Sequence, residues 1–109
     1  MTQIAAQDRD VFRALSDPTR REILALLRQG HQPAGAIARA FPVSRPAISK
    51  HLRVLRDARL VAEVRQGRER LYQLNAAPLK TIDDWLAAYR RYWQTQLQNL
   101  KHYAEEGKK

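Results

Sequence analysis

A mainly α-helical fold with one small β-hairpin is what this chain of 109 residues predicts. Apolar residues recur at three- and four-residue spacing through most of the sequence, and two short stretches beside Gly67 have the character of strands. Proline and glycine stand where helices are expected to begin or end. The length fits one domain, residues 1–109, and leaves no room for a second domain that closes over a substrate.

The first two helices are separated by one break, at Ser16 to Pro18. Residues 4–15 are predicted to form the first helix, because apolar side chains recur along one of its faces. Asp17 is expected to cap the second helix, with Pro18 in its first turn and Gly30 at its end. Residues 31–33 are expected to form a loop.

Residues 33–58 are predicted to form two helices joined by a tight turn, which is the helix-turn-helix arrangement. The first is short and ends at Pro42, because proline breaks a helix. Ser44 is a good cap for the second, and Pro46 lies in its first turn, where proline is tolerated. In this arrangement the first helix braces the second.

The second of these helices has two unlike faces. Ile48, Leu52 and Leu55 fall on one side, while short polar and basic side chains fall on the other. A helix of this kind fits the major groove of DNA, where Lys50 and Arg53 are the expected base contacts. With the arginines of the hairpin, the residues expected to contact DNA are Ser44, Arg45, Pro46, Ser49, Lys50, His51, Arg53, Arg65, Arg68 and Arg70. For His51, toward the buried edge, a structural hydrogen bond is the alternative.

Residues 61–74 are predicted to form a β-hairpin that turns at Gly67, which adopts positive φ readily. The second helix of residues 33–58 is here called the reader helix, and a hairpin that follows such a helix is called a wing. Its arginines are expected to reach the phosphate backbone or the adjacent minor groove, while Glu63 and Glu69 offset part of their charge.

Residues 78–105 are predicted to form a last helix of roughly 40 Å, much longer than the radius of about 13 Å that suits a domain of this size. One domain cannot cover its apolar face. We therefore expect a homodimer in which this helix and the first helix pack against a second copy. The expected dimer contacts are Leu79, Ile82, Trp85, Leu86, Tyr89, Trp93, Leu97 and Leu100.

Composition favours nucleic acid as the partner. With 20 Lys and Arg against 11 Asp and Glu, the formal charge is +9, and the arginines cluster on the reader helix and the hairpin. No apolar run approaches membrane-spanning length, so we expect no membrane partner. The N-terminal residues lack a secretion-signal pattern and cysteine is absent, which together favour the cytoplasm and exclude disulfides.

The chain resembles the ArsR/SmtB family of bacterial winged-helix repressors. The resemblance spans residues 15–74 in order, with the family's Asp-Pro-Thr-Arg start at 17–20. Its Ser-x-x-x-x-Ser-x-His-Leu-x-x-Leu pattern is filled by Ser44, Ser49, His51, Leu52 and Leu55. This resemblance implies a homodimer that binds double-stranded DNA at an inverted-repeat operator, represses transcription and releases the DNA when a signal is sensed.

The family's metal sites are not matched. Its cysteine pair would fall near Pro33 and Gly35, and this chain has no thiolate. On the last helix the family uses Asp-x-His followed by His-x-x-His or His-x-x-Glu. His102 and Glu105 fit the second half, but Arg91, with Tyr89, stands in the first half, and a guanidinium repels a divalent cation. We expect no metal and no cofactor, and the sequence assigns no effector.

Other functions are weighed beside DNA binding. A winged-helix module whose basic face binds protein or RNA is one alternative, and a metal-responsive repressor with an atypical site is another. The aromatic stripe of the last helix would suit a ligand pocket, although dimer core is the more ordinary role. An enzyme is set aside, because no nucleophile, base and orienting group converge. Arg20 is expected to hold helix ends, with phosphate contact as its alternative.

Overall fold

The computed structural model describes residues 5–107. The chain is mainly helical with a small antiparallel sheet, which confirms the predicted fold class. Its elements are, in chain order, α1 (Ala6–Leu15), α2 (Pro18–Leu27), β1 (Gln32–Pro33), α3 (Ala34–Ala40), α4 (Arg45–Asp57), β2 (Val61–Gln66), β3 (Glu69–Leu74) and α5 (Leu79–Glu106). The reader helix of the sequence prediction is α4, and the wing is the β2–β3 hairpin.

The ends of two helices differ slightly from the prediction. Helix α1 begins at Ala6, and Ile4, where it was expected to begin, lies outside the described residues. Helix α5 begins after Pro78, which occupies the N-cap, and runs to Glu106 rather than 105. Neither difference moves a residue to another face of its helix.

One expectation was wrong: part of the loop at residues 31–33 is a strand. Gln32 pairs with Tyr72 and Pro33 with Leu71, so the sheet has three strands in the order β1-β3-β2. Strand β3 would otherwise leave one edge of backbone groups unpaired. The prediction failed because two residues carry no alternating pattern, and the pairing depends on a strand forty residues away.

The hydrophobic core lies beneath α4. The apolar side of this helix is closed off from solvent by α1, α2, α3 and the sheet. The buried core residues are Val11, Ala14, Ile23, Leu24, Leu27, Ile37, Ile48, Leu52, Leu55, Ala58, Leu60, Val61 and Tyr72. Burial of one side of α4 leaves the opposite side for a partner.

Arg20 joins three helices through its guanidinium. The Nε atom donates to the carbonyl oxygen of Ala14 (2.8 Å) and Nη2 donates to that of Arg13 (3.0 Å), both in the last turn of α1. The Nη1 atom lies 3.3 Å from Nδ1 of His51 in α4. Since a guanidinium can only donate, Nδ1 of His51 is the acceptor in this contact. The expectation that Arg20 holds helix ends is confirmed.

Asp17 completes this contact at the start of α2. Its carboxylate accepts a hydrogen bond from the backbone N–H of Arg20 (3.1 Å), as expected for an N-cap. That hydrogen bond is the largest cause that holds the pKa of Asp17 below its usual value of 3.8; the nearby charge of Arg20 acts in the same direction, and partial desolvation opposes them. Asp17 is therefore ionised throughout the neutral range and helps to fix Arg20 in place.

Helix α5 extends well beyond the rest of the protein. The radius of gyration is 18.9 Å and the longest dimension 66 Å, against about 13 Å for a compact domain of this length. Its first turns pack on the core through Leu79 and Ile82, whereas every residue from 91 to 107 is exposed. The second half of α5 thus has no packing partner among residues 5–107 of its own chain.

The chain leaves α4 through a residue with a left-handed backbone, Arg59, which follows the C-cap Ala58. Arg59 has a φ of 62°, and the N–H of Leu60 donates to the carbonyl of Leu55 (3.0 Å), as in a Schellman motif. Glycine is the usual residue at such a position, because its lack of Cβ removes a clash with the carbonyl. The side chain of Asn75 donates to the Arg59 carbonyl (2.8 Å) and supports this conformation.

Replacing Arg59 by glycine is expected to raise the free energy of unfolding by about 1 kcal/mol, because it relieves the left-handed backbone. Urea unfolding followed by circular dichroism measures the change. Arg9→Gly, at an exposed interior position of α1, is the control and is expected to lower stability by up to about 1 kcal/mol. A stability of Arg59→Gly equal to or below that of the wild type would contradict this explanation.

Candidate nucleic-acid interface

The outward side of α4 carries the residues that the sequence predicts to contact DNA. The Oγ atom of Ser44 accepts a hydrogen bond from the N–H of Ala47 (3.3 Å), which caps the helix and fixes its start. All the predicted contact residues of this segment except His51 are exposed: Ser44, Arg45, Pro46, Ser49, Lys50 and Arg53. They form one side of the helix, opposite the core.

Lys50 and Arg53 lie at a cleft between α4 and α1. The cleft has a volume of about 430 Å³, and its other lining side chains include Asp10, Arg13 and Asp57. The sequence analysis did not anticipate Asp10, because a residue of α1 reaches this surface only through tertiary packing. Two carboxylates beside the two expected base contacts reduce the local positive potential, so this side is less uniformly basic than the sequence suggests.

Arg45 and Ser49 lie on the other flank of α4, facing the wing. They line a smaller cleft of about 200 Å³, together with Arg70 of β3 and the small residues Ala34 and Gly35 at the start of α3. The cleft brings a side chain of the reader helix and one of the wing onto the same surface.

The wing arginines have different surroundings. Arg65 and Arg70 are directly opposite each other in the β2–β3 ladder, so two like charges share one face. Glu63, two residues along β2, offsets this repulsion: its Oε1 lies 3.5 Å from Nε of Arg70, and its Oε2 lies 2.8 Å from Nη1 of Arg56. Glu63 therefore ties the wing to the last turn of α4.

Arg65 and Arg68 extend the basic surface to the tip of the wing. Both are exposed, and Arg68 follows Gly67, whose φ of 64° makes the turn. A hairpin held at one end by the core and by Glu63 presents these side chains at a defined distance from α4.

His51 stands apart from the other predicted contacts. It is half-buried, its Nδ1 atom faces Arg20, and the same atom is 3.9 Å from Oδ2 of Asp17. The alternative of a structural hydrogen bond is therefore realised. Only the Nε2 proton is left to donate to a phosphate, so DNA contact by His51 stays a prediction.

The candidate metal ligands His102 and Glu105 lie on the exposed half of α5. His102 pairs through Nε2 with Oε1 of Glu106 (2.9 Å), one helical turn away. Among residues 5–107 there is no cluster of three or more histidine, aspartate or glutamate side chains placed to hold a metal ion. Within the same residues, no helix combines the length and the apolar character needed to cross a membrane.

Comparison with known proteins identifies the family. Residues 17–63, from the cap of α2 into the wing, match the model of the arsR family of bacterial regulatory proteins. The chain is similar to the transcriptional repressor SdpR of Bacillus subtilis, with 44% identity over 77 residues that cover 71% of this chain and 86% of the relative. A second relative, the transcriptional regulator Rv2034 of Mycobacterium tuberculosis, has 44% identity and covers 75% of this chain and 76% of its own.

Solved structures agree with this assignment. An ArsR-like transcriptional regulator from Rhodococcus sp. RHA1 superposes with a TM-score of 0.69 at 40% identity, covering 91% of this chain and 93% of its own. The ArsR family transcriptional regulator RHA00566 gives a TM-score of 0.75 at 32% identity, covering 86% and 97%. The chain belongs to the arsR family of bacterial regulatory proteins and is a DNA-binding transcriptional regulator with a winged helix-turn-helix fold, not an enzyme.

Proposed function

We propose that this protein is a cytoplasmic, homodimeric repressor that binds an inverted-repeat operator and responds to a signal other than a metal. The observation that carries the proposal is the exposed apolar face of α5. It is large, continuous and on the element that projects from the domain, while the reader helix α4 lies on a different surface. A second copy is thus able to cover α5 without blocking DNA.

Large apolar side chains are exposed along most of α5. Trp85, Tyr89 and Trp93 are each about half exposed, at 50%, 48% and 48%, although tryptophan and tyrosine normally bury most of their surface. The more exposed members of the face are Tyr92, Leu97, Leu100 and Tyr103. A contiguous apolar surface of this extent on a soluble domain marks an interaction site.

The face continues onto α1. The rings of Phe12 and Trp85 meet edge to face, with centroids 5.8 Å apart, and Trp85 contacts Tyr89 at 5.0 Å. The hydroxyl of Thr81 donates to Asp8 (3.1 Å), which fixes α1 against the start of α5. Two helices held together in this way offer a self-complementary surface, which supports a two-fold symmetric dimer.

The predicted dimer residues divide into two groups. Leu79 and Ile82 pack on the core of their own chain and Leu86 is half-buried, so these three position α5. The proposed interface consists of the remaining predicted residues, Trp85, Tyr89, Trp93, Leu97 and Leu100, with Tyr92 and Tyr103 at its edge.

Two-fold symmetry determines the form of the DNA site. A dimer presents two α4 helices related by its axis, and successive major grooves on one side of the duplex are about 34–36 Å apart. The operator is therefore an inverted repeat with half-sites separated by about one helical turn. Repression follows when such a site overlaps a promoter, as the names of the similar repressors support.

The signal is proposed to be something other than a metal. Arg91 stands where the family's last-helix site has a histidine, and the chain has no cysteine. His102 is engaged with Glu106. A metal-responsive repressor with an atypical site would need ligands from elsewhere in the chain, and the described residues do not bring three together.

The double variant Trp93→Glu, Leu97→Glu is expected to be a monomer, because two carboxylates would be buried in an apolar interface. Light scattering after size exclusion should give twice the chain mass of 12.6 kDa for the wild type and that mass once for the variant. Gln98→Glu is the matched control, since helical spacing places Gln98 on the opposite side of α5. A monomeric wild type at micromolar concentration would contradict the dimer.

Lys50→Ala and Arg53→Ala are expected to weaken binding to the operator by about 1–3 kcal/mol each, and much less to random DNA, because both side chains are proposed to contact base edges. Selection of bound fragments from genomic DNA supplies the operator, and fluorescence anisotropy measures both affinities. His31→Ala, in a segment remote from α4, is the control. Arg68→Ala in the wing is expected to lose affinity for both DNAs alike.

Two outcomes would count against this proposal. Equal losses on operator and random DNA for Lys50→Ala and Arg53→Ala would reassign both residues to the phosphate backbone. A selection that returns no shared inverted repeat would favour the alternative in which the basic face binds RNA or a protein partner.

A further inference from the structure

A groove runs between α3 and the wing, on the flank of α4 that faces away from α1. It consists of two adjoining clefts, one of about 400 Å³ near the tip of the wing and one of about 200 Å³ beside α4. Both are lined by Ala34, Gly35 and Arg70, so they form one continuous surface, here called the α3–wing groove. It leads from the wing tip to the start of the reader helix.

Arginines are placed along the whole length of the α3–wing groove. Arg68 and Arg39 line its outer part, Arg70 its middle and Arg45 its inner end. Glu69 is the one carboxylate among its lining residues. Four arginines lie along this path against Glu69 and Glu63, which pairs with Arg70, so positive charge exceeds negative charge. The cleft beside α1 instead has two carboxylates next to Lys50, Arg53 and Arg13.

The floor of the groove is made of small residues. Alanine and glycine occupy the first turn of α3, and a Cβ built on Gly35 would stand 3.2 Å from Nη1 of Arg39. The guanidinium of Arg39 therefore lies directly over Gly35, at the bottom of the groove. The small side chains at the start of α3 leave room for this guanidinium, and Arg39 is exposed.

We propose that the α3–wing groove holds the phosphodiester backbone of one DNA strand as it passes from the wing to α4, with Arg39 as a phosphate contact. This inference rests on the proposed function and adds a contact surface that the reader helix and the wing tip do not include. Two properties fit this occupant: the arginines of the groove follow one path, and the groove ends at Arg45 and Ser49 on the reader helix.

The sequence did not point to Arg39. It is an exposed residue in the last turn of the short helix α3, which was expected only to brace α4. Because Arg39 lies far along the chain from the wing arginines, the sequence does not show that Arg39 and these arginines line one groove. The packing of β1 against β3, which the sequence analysis also missed, is what brings the start of α3 beside the wing.

Arg39→Ala is the direct test. Loss of one phosphate contact is expected to reduce the slope of log K against log salt by about 0.9, with the same fold-loss of affinity on operator and random DNA. Arg28→Ala removes the same charge at the end of α2, outside the groove, and is expected to leave the slope almost unchanged. A salt slope for Arg39→Ala equal to that of Arg28→Ala would overturn the inference.

Gly35→Val tests the groove without changing charge. Its side chain fills the floor beneath Arg39, and it is expected to weaken binding to both DNAs several-fold while thermal melting and the dimer mass stay at wild-type values. Wild-type affinity in this variant would contradict occupation of the groove. If the wild-type protein instead showed no operator preference, and Arg39→Ala still lowered the salt slope, the proposed function would fail while the groove inference stood.

Discussion

The guanidinium of Arg20 is the contact on which the arrangement of this protein depends. It donates to the carbonyl groups of Ala14 and Arg13 at the end of α1, and it faces His51 in the middle of α4. Helix α1 in turn packs on α5 through Phe12 and Trp85. One side chain thus connects the helices proposed to form the dimer with the helix proposed to read DNA.

This connection couples the proposed dimer surface to the proposed DNA-reading surface. A dimer sets the distance between two reader helices only if α4 is held rigidly relative to α1 and α5. Burial of Ile48 and Leu55 in the core fixes the depth of α4, but hydrophobic contact is not directional. Hydrogen bonds do depend on orientation. Those of Arg20, which ionised Asp17 helps to hold in place, therefore fix the orientation of α4 relative to α1.

Much of the fold was predictable because its signals are local. Asp17 and Ser44 cap their helices as expected, and the apolar spacing of α4 identified the residues that are buried. Strand β1 was not predicted, because it depends on pairing between distant residues: Gln32 pairs with Tyr72, forty residues along the chain. The same limit applies to the site. Asp10 and Arg39 reach the candidate interface from other helices, so no pattern around α4 indicates them.

The ratio of operator affinity to random-DNA affinity in Arg20→Lys tests the central role of Arg20 most directly, because lysine keeps the charge but cannot make the three contacts of a guanidinium. We expect the ratio to fall by about tenfold, equivalent to about 1.4 kcal/mol, with the dimer mass unchanged. Arg21→Lys is the control, since the one side-chain hydrogen bond of Arg21 among the described residues is to the carbonyl of Leu15 (2.8 Å). An unchanged ratio in Arg20→Lys would contradict the account.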